Sequence, residues 1–293
     1  MTSTNRVSAP RPSGVPAELT RQIEGEIAGR VSRKRKILLG RIIVLGGLIA
    51  AWEIFSGKLG EPGVLIDKFY LSQPSDVGRA LWQWIQNGVL LNNLAVTMQV
   101  TIIGFVIGAG LGMLVGFALG VNRFLSSVFS PIIAALYAVP RLALIPLFLL
   151  WFGLGIGSKL ALVITVVFFL VFYNTHEGVR EVDRGLIDVM RVMKASRWQV
   201  HKTVTVPSAM TWIIAGLRIS VPYSLVAAVT GEMMASNSGM GFLIIRASGQ
   251  FYTAGVFAGI VVIMVFALLL GGFVSLAEKK LLRWKPDRLL VGA

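Results

Sequence analysis

Six stretches of roughly twenty or more apolar residues dominate this chain, at 37–56, 93–119, 127–150, 158–175, 208–235 and 253–277. A helix needs about 20 such residues to cross a bilayer. The expected fold class is therefore all-α: a polytopic membrane protein with six transmembrane helices, in contact with membrane lipids. The chain is 55% hydrophobic and only 14% charged, too apolar for an ordinary soluble domain.

The formal net charge of +14 invites a nucleic-acid reading, but the placement of the charge excludes it. Of 28 Lys and Arg, eight lie in residues 1–36, six in 174–207 and five in 278–293, all flanks of apolar spans. No aromatic residues interleave with a basic stripe on a soluble module. With the N-terminus inside, the inside segments hold 21 Lys and Arg and the outside segments five. That asymmetry places both termini in the cytoplasm. The chain has no cysteine, so disulfides and thiolate metal sites are excluded.

Three divisions follow. Residues 1–36 form a cytoplasmic tail with a proline-rich start. Leu19, Ile23, Ile27 and Val31 predict a short amphipathic helix there, and Arg33–Lys36 anchors the first span. Residues 37–277 form the transmembrane domain, with a cytoplasmic loop at 176–207. Residues 278–293 form a cytoplasmic tail. In the outer segment 57–92, Ser75 or Asp76 can cap a short helix. Val77, Leu81, Trp82 and Ile85 form its apolar face, with Trp82 and Trp84 near the interface.

Span two carries a glycine every fourth residue: Gly104, Gly108, Gly112, Gly116 and Gly120. Small residues on one ridge let another backbone approach closely. Tight packing within one subunit is one reading; a surface on which a neighbour slides is the other. Span three contains Pro131, Pro140 and Pro146, each able to break a helix. Arg141 lies between two of them. A charge at that depth costs about 2.5–3.5 kcal/mol on insertion scales and marks a functional candidate. Snorkelling or pairing with a carboxylate is the alternative.

Nothing about spanning a bilayer requires the charged, amphipathic segment from Asp188 to Pro207, which suits it to gripping a soluble partner. Two short helices are expected. The first runs through 186–193 and, because Met193, Lys194 and Ala195 are good helix formers, continues through Lys194 to Ser196. Ser196 and Gln199 have capping-box form at the start of the second. Pro207 marks the entrance to span five, where a missing N–H is harmless. The whole reads as a rigid elbow.

This block resembles the cytoplasmic loop of inner-membrane permease subunits of binding-protein-dependent ABC importers. Their pattern is Glu-Ala-Ala, three residues, Gly, nine residues, Ile, one residue, Leu-Pro. Asp188, Val189, Met190, Lys194, Val204, Val206 and Pro207 occupy those positions. Only Pro207 is identical; Asp188 keeps the acid, and Lys194 replaces the glycine. LALIPLFLLWFGLG at 142–155, KASRW at 194–198, GLRIS at 216–220 and GEMMASNSGMGFLI at 231–244 resemble the sulfonate, taurine and nitrate branch. The resemblance spans about residues 70–280.

It implies a type I importer permease in a bacterial inner membrane, dimerising with a second permease copy. It also implies a soluble substrate-binding protein outside and ABC ATPase subunits docked on Asp188, Val189, Met190, Arg191, Lys194, Ala195, Ser196, Arg197 and Pro207. ATP and Mg would be bound by the partner ATPase. Independently, no GxxxxGK[ST] occurs, so this chain has no such phosphate cradle.

Other classes fit poorly. His176-Glu177 begins like HExxH, but position 180 is arginine, so the zinc motif fails. GLGIG at 153–157 follows a span rather than a strand. No metal site or cofactor is expected, and an enzyme is disfavoured. A passive channel would need polar rings along several spans. Arg141 and Glu232 are the candidate substrate-path residues. Arg141 suits an organic anion, sulfonate or nitrate; Glu232 suits structuring the outer gate. A non-anionic aromatic or heterocyclic solute stays open.

Overall fold

The computed structural model describes residues 17–57 and 64–281, in two compact units that divide at Asp67. In the first unit a single helix, α1 (Ala17–Phe55), runs without a break. The short N-terminal helix and the first span are therefore one element rather than two. Ser56–Gly57 (β1) and Ile66–Asp67 (β2) pair in parallel.

The second unit holds α2 (Lys68–Leu71), α3 (Pro74–Gln86), α4 (Val89–Val121), α5 (Arg123–Ala138), α6 (Ile145–Phe152) and α7 (Ile156–Arg180). It continues with α8 (Arg184–Val192), α9 (Arg197–Val200), α10 (Val206–Ala235), α11 (Met240–Gly249) and α12 (Thr253–Leu281). A 3-10 turn covers Arg141–Leu144, and a π turn covers His201–Thr205.

The glycine ladder packs inside this unit. An added Cβ on Gly104 would lie 2.7 Å from Val163 Cβ; on Gly112, 2.7 Å from the Phe168 carbonyl; on Gly120, 2.7 Å from Val179 Cβ. Both residue series ascend together, so α4 and α7 run parallel with their backbones in contact. Val163, Val167 and Val171 fill the space left by the missing side chains and are wholly buried. Of the two readings of the ladder, the seam within one chain is the one observed.

Parallel α4 and α7 also settle the third span. The chain must cross back between the end of α4 and the start of α7, and only α5 and α6 are available. They do so bent by 84°. The span expected at 127–150, with its three helix-breaking prolines, is thus a broken one. Val139 and Pro140 are both extended (ψ 127° and 112°), because proline disfavours helix at the residue before it. Among the described residues, α1, α4, α7, α10 and α12 are long and apolar enough to cross a membrane, and the bent pair makes a sixth crossing if it is counted as one span.

α10 returns antiparallel on α7. Gly178 abuts Ala209 and Trp212, and Gly216 abuts Asn174 (Cβ to Cβ 2.7 Å). α3 starts at Pro74, with Gln73 rather than Ser75 or Asp76 at its cap, since proline fits the first helical position. Asp76 instead pairs with Arg79 at 3.1 Å. Its inward face is Val77, Ala80, Leu81 and Trp84, while Trp82 and Ile85 are exposed. The expected face is therefore turned by part of a helical step.

Candidate functional site

The charged block expected in the cytoplasm lies between the C-terminal end of α7 and the N-terminal end of α10. Asp183 caps α8 by accepting from the Gly185 N–H at 2.8 Å. Asp188 and Arg191 pair across one turn at 3.1 Å, both exposed. Leu186, Val189 and Val192 on α8, Met193 at its end and Trp198 on α9 are all exposed. Met190 and Ala195 are half-buried, and Arg197 is exposed.

Lys194 corrects the sequence expectation. Its φ is +57°, so α8 does not continue to Ser196. Ala195 N–H donates to Met190 O at 3.0 Å and Lys194 N–H to Arg191 O at 2.9 Å. These two bonds form a Schellman stop with Lys194 in the position that favours glycine. The two bonds satisfy carbonyls at the helix end, and that gain outweighs the roughly 1–2 kcal/mol cost of left-handed backbone in an L-residue.

Ser196 and Gln199 form the expected capping box: Ser196 N–H donates to Gln199 Oε1 at 2.7 Å, and Gln199 N–H to Ser196 Oγ at 3.3 Å. Pro207 is the second residue of α10, at the entrance to span five as expected. α9, the π turn and α10 form one helical rod, Arg197–Met234. Pro207 cannot donate, and Val206 N–H reaches one residue farther, to His201 O. The π turn absorbs the lost donor, so the second short helix is continuous with span five.

Arg141 lies at the break between α5 and α6. Its guanidinium carbon is 4.3 Å from the Tyr137 ring centroid and 5.6 Å from that of Phe169. Phe169 is near the midpoint of α7, so Arg141 is near mid-membrane depth. Its Nε is buried without a hydrogen-bond partner, and among the described residues no carboxylate pairs with it. Tyr137 also meets Tyr173 edge-on at 4.9 Å. Cation–π contact holds the guanidinium and leaves its charge uncompensated.

Glu232 is wholly buried near the C-terminal end of α10. Thr97 Oγ1 donates to Glu232 Oε2 at 2.9 Å, and Gly241 N–H donates to the same oxygen at 3.0 Å. Met240 N–H donates to Thr97 Oγ1 at 2.9 Å and Gly239 N–H to Asn93 Oδ1 at 2.8 Å. These are the orphan donors at the start of α11, satisfied by α4 and α10. Gly239 has φ +108°, and a Cβ there would strike the Glu232 carboxylate. Nearby, buried Lys159 donates to Ser236 Oγ at 2.6 Å. Asn93, Thr97, Lys159 and Ser236 escape a sequence reading because no periodicity links residues so far apart. The two close glycines were the visible signal.

The two histidines do not form a metal site, and no metal-holding cluster occurs among the described residues. His176 Nε2 lies 2.9 Å from Ser126 Oγ, tying α7 to α5.

Residues 108–283 match the family described as binding-protein-dependent transport system inner membrane component. A putative aliphatic sulfonates transport permease protein of Bacillus subtilis (strain 168) is 34% identical over 253 residues, covering 86% of this chain and 90% of that protein. A formylaminopyrimidine transport permease protein of Halalkalibacterium halodurans is 29% identical, covering 82% and 94%. Among solved structures, a bacterial alginate ABC transporter in complex with an alginate pentasaccharide-bound periplasmic protein aligns with TM-score 0.58. It is 14% identical and covers 89% of this chain and 97% of that one.

Proposed function

The chain belongs to the binding-protein-dependent transport system inner membrane components, and from that premise we propose how it shares the work of import. It is the transmembrane permease subunit of an ABC importer, a transport subunit rather than an enzyme. Two copies of the chain frame the path. A soluble binding protein delivers solute to the outer end, and ABC ATPase subunits, which hold ATP and Mg, dock on α8 and α9. Both described ends of the chain face the cytoplasm.

The carrying observation is the exposed stripe of Leu186, Val189, Val192, Met193 and Trp198. It is apolar, flanked by the Asp188–Arg191 pair, and outside the membrane. Such a surface on a charged loop fits a protein partner. An anionic solute is favoured by Arg141, whose mid-depth charge has no carboxylate counter-ion among the described residues. A sulfonate permease among the relatives agrees, and a formylaminopyrimidine permease keeps the heterocyclic alternative in view.

The test exchanges the pair, Asp188→Arg with Arg191→Asp. The helical ion pair survives, but the charge order seen by a partner reverses. The expected result is loss of ATPase copurification with the permease still folded. Unchanged copurification and unchanged coupling of hydrolysis to uptake would overturn the assignment.

A further inference from the structure

α11 ends on a left-handed residue. Tyr252 N–H donates to Ala247 O at 2.9 Å and Phe251 N–H to Ser248 O at 3.0 Å, the same kind of stop that ends α8. Phe251 holds the left-handed position, with φ +54°. Glycine would make this stop without steric cost, whereas a bulky side chain is an outlier there. Strain of this kind persists where the side chain has a use. The ring does not serve the interior, because Phe251 is 75% exposed. It stacks instead on Phe69 of α2, with centroids 6.1 Å apart and planes 24° apart. Phe69 in turn meets Tyr70 edge-on at 5.3 Å, and Tyr70 is 72% exposed. Thr253 Oγ1 donates to Phe69 O at 2.5 Å, which ties α2 to the first turn of α12.

The packing of α11 on α12 places this aromatic patch. Gly259 abuts Ile244, and Gly255 abuts Ala247 and Tyr252. The two helices therefore form an antiparallel hairpin with the patch at its tip. The tip is where the apolar span of α12 ends, at the end of the bundle opposite α8 and α9. Thr253, Phe257, Ile260, Met264 and Leu268 follow one another at spacings of three or four residues, so they share one side of α12. Ile260, Met264 and Leu268 are exposed along it, a stripe suited to lipid tails. Around the rings the surface turns polar, with Ser248 and Gln250 exposed. Lys68 and Arg246 are exposed there too, and neither is in an ion pair among the described residues. Apolar stripe, then aromatic rings, then cations is the order of a bilayer from its tails to its phosphates.

We infer that the tip of the α11–α12 hairpin, with α2, is an anchor seated among phospholipid headgroups. Phe251, Phe69 and Tyr70 lie at the level where tails give way to headgroups, and Lys68 and Arg246 reach the phosphates. Long basic side chains extend to such a layer while their stems stay on apolar surface. The patch runs into the exposed stripe of α12 without a break, which favours a lipid surface over a soluble partner. The strained phenylalanine has its reason here: the left-handed position turns the ring outward from the hairpin, onto Phe69 and the lipid.

The test places the photoreactive residue p-benzoylphenylalanine at position 251 or 70, one at a time, in the full importer. The vesicles are phosphatidylethanolamine with phosphatidylglycerol as the minority lipid, and the soluble binding protein is added. After irradiation, adducts of this chain are read by mass. Both positions should give phospholipid adducts, with phosphatidylglycerol above its share of the bilayer. Lys68→Gln and Arg246→Gln should each lower that excess, by up to about fivefold, and added salt should lower it as well. Position 70 lies within α2 and carries the test if a replacement at 251 folds poorly. Adducts to the binding protein or to a second copy of the chain in place of lipid would overturn the inference. So would a phosphatidylglycerol share equal to that of the bilayer and indifferent to both substitutions.

Discussion

Thr97 and Glu232 stand 135 residues apart in sequence and share a buried hydrogen bond of 2.9 Å. Through it α4 and α10 jointly hold the start of α11. Glu232→Ala would strip an acceptor from Thr97 and from the Gly241 N–H together. Orphaning buried polar groups costs about 1–3 kcal/mol each, so the purified complex should melt lower and lose transport. Glu232→Gln keeps an oxygen acceptor and should lose less. A melting profile for Glu232→Ala equal to the parent's would show that the knot is not holding α11.

Gly112→Leu should disrupt the α4–α7 seam, since even its Cβ would lie 2.7 Å from the Phe168 carbonyl. Overpacking of this kind costs typically 1–3 kcal/mol. Gly110, two residues away, has nothing within 4 Å of an added Cβ. Gly110→Leu should assemble like the parent. Equal yield and stability for both variants would sink this account of the ladder.

Lys194→Gly should stabilise the cytoplasmic block by roughly 1 kcal/mol by relieving the left-handed lysine. Lys194→Val should do the opposite, because a β-branched residue is worst at positive φ. Hydrogen exchange of the Ala195 amide, bonded to Met190 O, reads both. Slower exchange in the glycine variant and faster in the valine variant are expected; the reverse order would contradict the observed stop.

Arg141→Ala should reduce uptake of an anionic solute while leaving complex yield intact. Arg141→Lys restores the charge but not the planar fork, and it loses the flat stacking on Tyr137. Partial rescue by lysine points to charge alone; failure of lysine points to a bidentate contact. Uptake and yield are measured on the same preparations. Normal uptake in Arg141→Ala would remove the residue from the path.

Long periodic features were legible in the sequence. Five spans, the glycine ridge and the capping box at Ser196 depend on residues within a few turns of one another, and each appears where local spacing puts it. The misreadings share one cause: a local rule outweighed by a more distant or more specific one. Lys194 looked helical by propensity, yet the Schellman bonds to Met190 and Arg191 end α8 there. Pro207 opens α10 as its position suggested, but the π turn before it joins α9 and α10 into one rod. The bend of 84° at Val139 and Pro140, by contrast, falls among the prolines that marked the third span as breakable. The Glu232 knot and the Arg218–Glu278 pair join distant helices and leave no trace in spacing.

The parallel seam of α4 on α7 has a mechanical consequence. Backbone contact through a row of glycines, with Val163, Val167 and Val171 seated in the gaps, resists sliding, so the two helices should move as one beam. At the outer end, Glu232, Thr97 and Asn93 pin α4, α10 and the start of α11 together. At the inner end, α8 and α9 pull on the tips of α7 and α10 side by side. A load there cannot slide the beam past its pin. It should swing it instead, with the least travel at the end pinned by Glu232 and the most at the end that carries α8 and α9.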